Sequence, residues 1–338
     1  MPNFVNSVGY RLEKLHSGMI AYLCDLWVVG NRTPLEVFMS CLGIELDAQS
    51  LTAKREYKSI DLVIFDAHEQ PLIAIEMKVD NHESRIKRKN VSEAKDWQTR
   101  IYPQLVEGCE HFLFVTLGLG EYYHAPYGEQ FCWVRIEKFL RALEAIPSGD
   151  PFIDAWREAV WTEKRFQDKC RDNDLSGVKE HQVKTWNVYF LGFLKERLER
   201  LLSDKLEAGL AAYPYSSDTI LNFGLLPRSP CYMEINSNGK LNLKVKFEGY
   251  SSESEKRKVL ERAQSYYDER LSSLGKSELK SIEGSLKKTR TIVSFDVGLA
   301  KREEPRGFFE YARDENETCK RIVTLIDQFY GKLQGPDP

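Results

Sequence analysis

Between Ile60 and Asp80 hydrophobic and polar positions alternate twice with the two-residue period of a strand, on either side of a short polar turn. The run Ile60–Phe65 carries one charge, Asp61. Over residues 72–80, Ile73, Ile75, Met77 and Val79 share one face while Glu76 and Lys78 share the other. If residues 66–71 close an antiparallel hairpin, its centre falls between His68 and Glu69, and folding about that centre sets Asp61 opposite Glu76. Two acids and an amine are thereby gathered on one side of a hairpin.

Upstream, Leu12, Leu15, Met19, Ile20, Leu23 and Trp27 recur at helical spacing and predict an amphipathic helix over residues 8–28. Glu13, His16 and Ser17 stand at i, i+3 and i+4 and form one polar cluster on it. A second helix is expected over residues 35–42, with Thr33 as N-cap, Pro34 at the first helical position and Glu36 in the first turn. Downstream, Gln98 and Tyr102 stand at i and i+4 on a helix that Pro103 is expected to kink or end. Residues 111–118 read as a buried strand of the parallel type, residues 131–135 as a further strand and residues 136–146 as a helix. This order predicts an α/β fold, a mixed central β-sheet flanked by helices.

The stretch 147–151, Pro-Ser-Gly-Asp-Pro, is the expected linker, dividing residues 1–147 from a mainly helical α+β region over 151–338. That region is expected to hold a helix over 152–170 and a long helix with an apolar stripe of Trp186, Phe190, Leu194, Leu198 and Leu201. A hairpin turning at Asn238-Gly239 follows, then a helix over 253–274, a strand over 291–299 and a last helix over 317–333.

Composition narrows the function classes. With 338 residues, 42% hydrophobic and 29% charged, the chain is expected to build real cores rather than stay disordered. A net charge of -3 supplies no global basic field, so any nucleic-acid binding rests on a local patch. Such a patch is offered by residues 81–100, where Arg85, Lys87, Arg88, Lys89, Lys95 and Arg100 outnumber Glu83, Glu93 and Asp96. These cations form either a solvated surface run or a track for a phosphate backbone. The 7 cysteines are dispersed without a C-x-x-C pair, which points to reduced, buried thiols in a cytoplasmic protein. Neither a secretory leader nor a membrane-spanning run is expected.

The charges on the hairpin allow two readings. They describe a solvated ion-pair face at a sheet edge, or a site for a divalent cation, since close carboxylates repel and raise each other's pKa unless a cation sits between them. Mg²⁺, with Mn²⁺ as a substitute, prefers such oxygen ligands and keeps several waters. A lysine beside it can position or deprotonate a bound water for attack on phosphorus.

An acid on one strand followed by E-x-K on the next, here Asp61 and Glu76-Met77-Lys78, resembles the PD-(D/E)XK nuclease superfamily. Glu13-Lys14-Leu15-His16-Ser17 resembles the E-x-x-H-S opening of one largely bacterial branch, and Gln98 with Tyr102 resembles the Q-x-x-x-Y motif of the RecB-like nucleases. The resemblance covers residues 8–120. It implies a restriction-endonuclease-like core and Mg²⁺-dependent hydrolysis of DNA, in bacterial or phage DNA processing, restriction or antiviral defence. Asp61 and Glu76 would then be metal ligands, Glu13 a further ligand directly or through water, and Lys78 the group that activates water. Gln98 and Tyr102 would orient the lysine and the strand. His16 would either orient Glu13 or cap a turn, or join the ligands. Two other readings stay open: a non-catalytic nucleic-acid-binding module on the same fold, and a protein-interaction role for the C-terminal half. Oligomeric state is not legible.

Overall fold

The computed structural model describes residues 9–80, 83–87, 95–122, 125–202, 213–215, 220–225, 231–236, 238–247, 249–270, 289–304 and 306–331. The chain divides into two units, Met1–Lys169 and Cys170–Pro338.

The first unit opens with helices α1 (Glu13–Val28) and α2 (Thr33–Leu42). Strands β1 (Thr52–Tyr57), β2 (Ile60–Phe65) and β3 (Pro71–Lys78) follow, then a small ribbon of β4 (Arg85–Lys87) and β5 (Lys95–Trp97). Helix α3 (Gln98–Leu105), strand β6 (His111–Thr116), strand β7 (Phe131–Val134) and helices α4 (Ile136–Ala145) and α5 (Pro151–Arg171) complete the series. The five-stranded sheet runs β1-β2-β3-β6-β7. Its first three strands are antiparallel, and β6 and β7 continue it in parallel. A mixed sheet flanked by helices is therefore the architecture, as the order of elements predicts.

The hairpin register matches the sequence reading. Leu62, Val63 and Ile64 pair with Ile75, Ala74 and Ile73, and a bulge follows between Ile64 and Phe65. Alternation along these strands feeds two cores. Leu62, Ile64, Ile73, Ile75, Met77 and Val79 pack beneath α1, α2, α4 and α5. Val63, Phe65 and Ala74 pack on the opposite face against Tyr102 and Val106 at α3. Glu76 and Lys78 lie on this second face, which is covered, so the solvated ion-pair face is corrected to a buried one: Glu76 is 2% exposed and Lys78 6%.

Three expectations change in detail. Helix α1 starts at Glu13 rather than residue 8; the chain turns at residues 10–12, leaving Leu12 exposed. Strand β1 is additional, its polar sequence and mostly half-exposed side chains being those of an edge strand that buries neither face fully. The unit boundary lies past the 147–151 stretch, because α5 sends Ile153, Trp156, Ala159 and Val160 into the core beneath α1.

In the second unit, α6 (Val183–Leu202), α7 (Glu253–Arg270) and α8 (Glu315–Gly331) accompany a five-stranded antiparallel sheet. Its strands are β8 (Tyr213–Tyr215), β9 (Ile220–Leu225), β10 (Cys231–Ile235), β11 (Lys240–Lys246) and β12 (Thr289–Asp296), in the order β12-β11-β10-β9-β8. Ile235 pairs with Leu241 across the Asn238-Gly239 turn, as expected. Strands β8 and β9, and a short hairpin of β13 (Leu299–Lys301) and β14 (Phe309–Tyr311), were not expected. The stripe on α6 is buried except for Leu201, 48% exposed; Leu202 takes the inward position instead. All seven cysteines are free, and Cys41 and Cys132 are exposed rather than buried. Among the described residues no helix is long and apolar enough to cross a membrane.

Candidate active site

Asp61 lies one step beyond the Leu62–Ile75 pair, and its Oδ2 accepts the backbone N–H of Met77 at 2.7 Å. The carboxylate thus takes up a β3 donor and is fixed beside the outer end of that strand. On β3, Lys78 Nζ lies 2.5 Å from Glu76 Oε1 and 3.9 Å from Glu13 Oε2. Glu13 reaches this point because it stands in the first turn of α1, where its other oxygen accepts the Val79 N–H at 3.3 Å. A loop backs the end of β3: Leu117 and Gly120 donate N–H groups to the carbonyls of Lys78 and Val79 at 3.0 and 2.7 Å. Gly118 is required there, since a Cβ would stand 2.8 Å from the Val79 carbonyl oxygen.

The electrostatics follow from burial. Three carboxyl groups surround one ammonium, so full ionisation leaves two negative charges uncompensated in a poorly solvated place. Desolvation pushes the Glu76 carboxyl up to about 8; Lys78 opposes the shift, and Asp61 and Glu13 add to it. Desolvation also raises Asp61, against the pull of Lys78 and the Met77 N–H. For Lys78, burial favours the neutral amine, but Glu76, Glu13 and Asp61 outweigh it and hold the group an ammonium. Among the described residues the buried Glu76 Oε2 has no hydrogen-bond partner.

Gln98 and Tyr102 do meet on α3. The Gln98 amide donates to the Tyr102 hydroxyl at 2.6 Å, and that hydroxyl donates to the Ser59 carbonyl at 2.7 Å. Their link is therefore to the start of β2, two residues before Asp61, and not to the amine of Lys78. The Tyr102 phenol is shifted upward by burial, with Glu76 and Asp61 adding to it. Helix α3 runs through Pro103. Proline cannot bond to the carbonyl four residues back, that of Thr99, and Gly128 closes over this carbonyl: a Cβ there would lie 2.1 Å from it.

His16 is not where a metal ligand must be. It is fully buried, with Nε2 2.8 Å from the Tyr10 carbonyl and Nδ1 accepting the Trp156 indole N–H at 3.0 Å. Both ring nitrogens are occupied, and desolvation lowers its pKa to about 4. Through the Tyr10 carbonyl it caps the turn before α1, one of the roles the sequence offers, and through Trp156 it ties α1 to α5. Ser17 is buried in the same helix, and Glu36 is exposed in the first turn of α2.

The basic segment is only partly described. Arg85 lies over the Trp97 ring and Arg100 over Tyr127. Lys87 ends β4, opposite Lys95. Arg88 and Lys89 lie outside the described residues.

Sequence reading missed Glu83 and Thr116. Glu83 is fully buried; its Oε1 accepts the Thr99 N–H and hydroxyl at 2.5 and 2.6 Å, and its Oε2 the Tyr127 N–H at 3.2 Å. In sequence it passes for one acid within a basic run. Thr116 pairs with Lys78 in parallel register and receives the Trp133 indole N–H at 3.0 Å. Its place beside the lysine follows from a register that the strand pattern alone does not give.

Among the described residues no set of three or more His, Cys, Asp or Glu side chains stands ready to hold a metal ion as a group. The donor chemistry nevertheless suits a hard divalent cation: carboxylate oxygens from Asp61 and Glu76, one of them unpartnered, with Glu13 close by and a local charge deficit of the right sign. Comparison with protein-family models, curated proteins and solved structures finds no match.

Proposed function

We propose that the first unit is a restriction-endonuclease-like, PD-(D/E)XK-type nuclease that hydrolyses DNA phosphodiester bonds with Mg²⁺ or Mn²⁺. The reading rests on one observation above all: a buried Glu76 oxygen with no partner among the described residues, in a cluster where Asp61, Glu76 and Glu13 outnumber Lys78. Asp61 and Glu76 would hold the cation, with Glu13 joining directly or through a water. When bound, such a cation polarises a phosphoryl oxygen and lowers the pKa of a coordinated water.

The chain's own groups do the rest. Lys78 is an ammonium while the three carboxylates are unneutralised; its N–H groups can orient a water or stabilise charge growing on a phosphoryl oxygen. Once the carboxylates are neutralised, burial becomes the dominant influence on the amine, which can then accept a proton from water. Asp61, held by the Met77 N–H, keeps its orientation throughout. Tyr102 and Gln98 brace the start of β2 and so position Asp61.

The test is cleavage of supercoiled and linear DNA with Mg²⁺ or Mn²⁺ by wild type, Asp61→Ala and Lys78→Ala. Loss in both variants supports the reading, and equal activity in all three removes it. One observation favours a second reading, a nucleic-acid-binding module without catalysis: Lys78 already neutralises one Glu76 oxygen. DNA binding that is the same in EDTA and in Mg²⁺, with no cleavage, supports that alternative.

A further inference from the structure

At the start of α3, next to Gln98 in sequence, four planar side chains form a stack in which Trp97 is half-buried and the other three are exposed. Trp97 and Tyr127 lie face to face, with ring centroids 4.0 Å apart and planes 18° apart. The Arg85 guanidinium lies over the indole, 4.4 Å from its centroid, and that of Arg100 stands 5.7 Å from the Tyr127 centroid. The stack is built on fixed backbone. Arg85 and Trp97 are directly opposed across the β4–β5 ladder, and the buried Glu83 ties the Tyr127 N–H to the first turn of α3. Arg100 Nε donates to the Tyr127 carbonyl at 3.2 Å.

An aromatic pair serving only the core has no need of cations at its ends or of solvent. Here Tyr127 is 36% exposed, and both arginines are exposed. Among the described residues Arg85 makes no ion pair. Its guanidinium rests on the indole alone, and an exposed contact of that kind is weak. An unpaired nucleobase stacks more strongly on an aromatic face, and a guanidinium displaced from it is placed to meet the adjoining phosphate. Duplex DNA offers no free base face, and a phosphate track alone would need cations without rings.

We infer that the Arg85–Trp97–Tyr127–Arg100 stack binds single-stranded nucleic acid through its bases, Trp97 taking a base and Arg85 the neighbouring phosphate. This rests on the nucleic-acid reading of the candidate site and adds that the strand presented there is unpaired.

The test is equilibrium binding in EDTA, where cleavage plays no part, of the full chain to labelled oligodeoxyuridylate, to oligouridylate and to an abasic phosphodiester oligomer of equal length. The base-bearing strands are expected to bind about tenfold more tightly than the abasic one; the tighter of the two names the sugar. Trp97→Leu and Tyr127→Leu are expected to erase that preference, and Trp97→Phe to keep it. Equal affinity of wild type for the base-bearing and abasic strands overturns the inference, and this comparison holds even if a leucine variant fails to fold. So does a preference that survives in a folded Trp97→Leu. Plasmid cleavage by wild type, measured separately with Mg²⁺, shows whether the nuclease reading stands when this inference fails.

Discussion

Lys78 bonds to one oxygen of Glu76, at 2.5 Å, and the other oxygen is buried, with no partner among the described residues. A lysine that served only to neutralise the acid would be a structural ion pair, and the spare oxygen would be a defect. With Asp61 and Glu13 in the same cluster, we read it as a proposed ligand to a divalent cation.

The pair predicts a double-mutant cycle. Above the Glu76 pKa of about 8, where the acid is ionised, Lys78→Met strands a buried carboxylate and is expected to destabilise the protein by about 3 kcal/mol. Adding Glu76→Gln removes the charge that was stranded, so the double variant should regain most of the loss while remaining inactive. Urea denaturation of the four proteins measures this; additive losses contradict it.

On the proposed reading, a metal ion and a proton compete for Glu76. Its folded pKa of about 8 means that cation binding at neutral pH displaces a proton. Affinity for Mn²⁺ is therefore expected to rise with pH up to about 8 and then level off, and Glu76→Gln should lose both the slope and most of the affinity. Calorimetric titration in buffers of different ionisation enthalpy counts the proton directly.

Glu76 and His16 make opposing contributions to the pH profile of stability without metal, and the upward-shifted Asp61 adds to the Glu76 side. Glu76 is raised from an ordinary 4.5 to about 8, so between those values the folded state holds the extra proton and stability falls as pH rises. His16 is lowered from 6.5 to about 4, so over that range the unfolded state holds the extra proton and stability rises with pH. The two slopes oppose each other from about 4.5 to 6.5, leaving a near plateau, and above 6.5 the decline on the Glu76 side remains. Thermal melts in EDTA should show this, and His16→Gln should turn the plateau into a steady fall.

Much of this was legible in the sequence. The hairpin register, the opposed faces of β3, the parallel β6 and the i, i+4 contact of Gln98 with Tyr102 follow from alternation and helical spacing, which depend on neighbours close in the chain. The burial of Glu76 and Lys78 was not, because the covering helix α3 is placed by long-range packing. The bond of His16 to the turn before α1 follows from its local spacing, but its second partner, Trp156, 140 residues away, is hidden for the same reason. Glu83 acts through Thr99 and Tyr127, and charge counting hides a buried acid among surface cations.

The turn over α3 is a further point of failure. A methyl group at Gly128 would meet the Thr99 carbonyl at 2.1 Å, which is backbone and cannot yield cheaply. Gly128→Ala is expected to cost about 2 kcal/mol and to lower cleavage by displacing Tyr102, as read by chemical denaturation beside the plasmid assay. Unchanged stability contradicts the packing described.

The most direct measurement is anomalous diffraction from crystals of wild type and Glu76→Gln soaked in Mn²⁺. One peak within a coordination distance of about 2–2.5 Å from both Asp61 and Glu76 in wild type, absent from Glu76→Gln, is the predicted result. A wild-type map with no peak between those carboxylates, at a pH where Glu76 is ionised, contradicts the account.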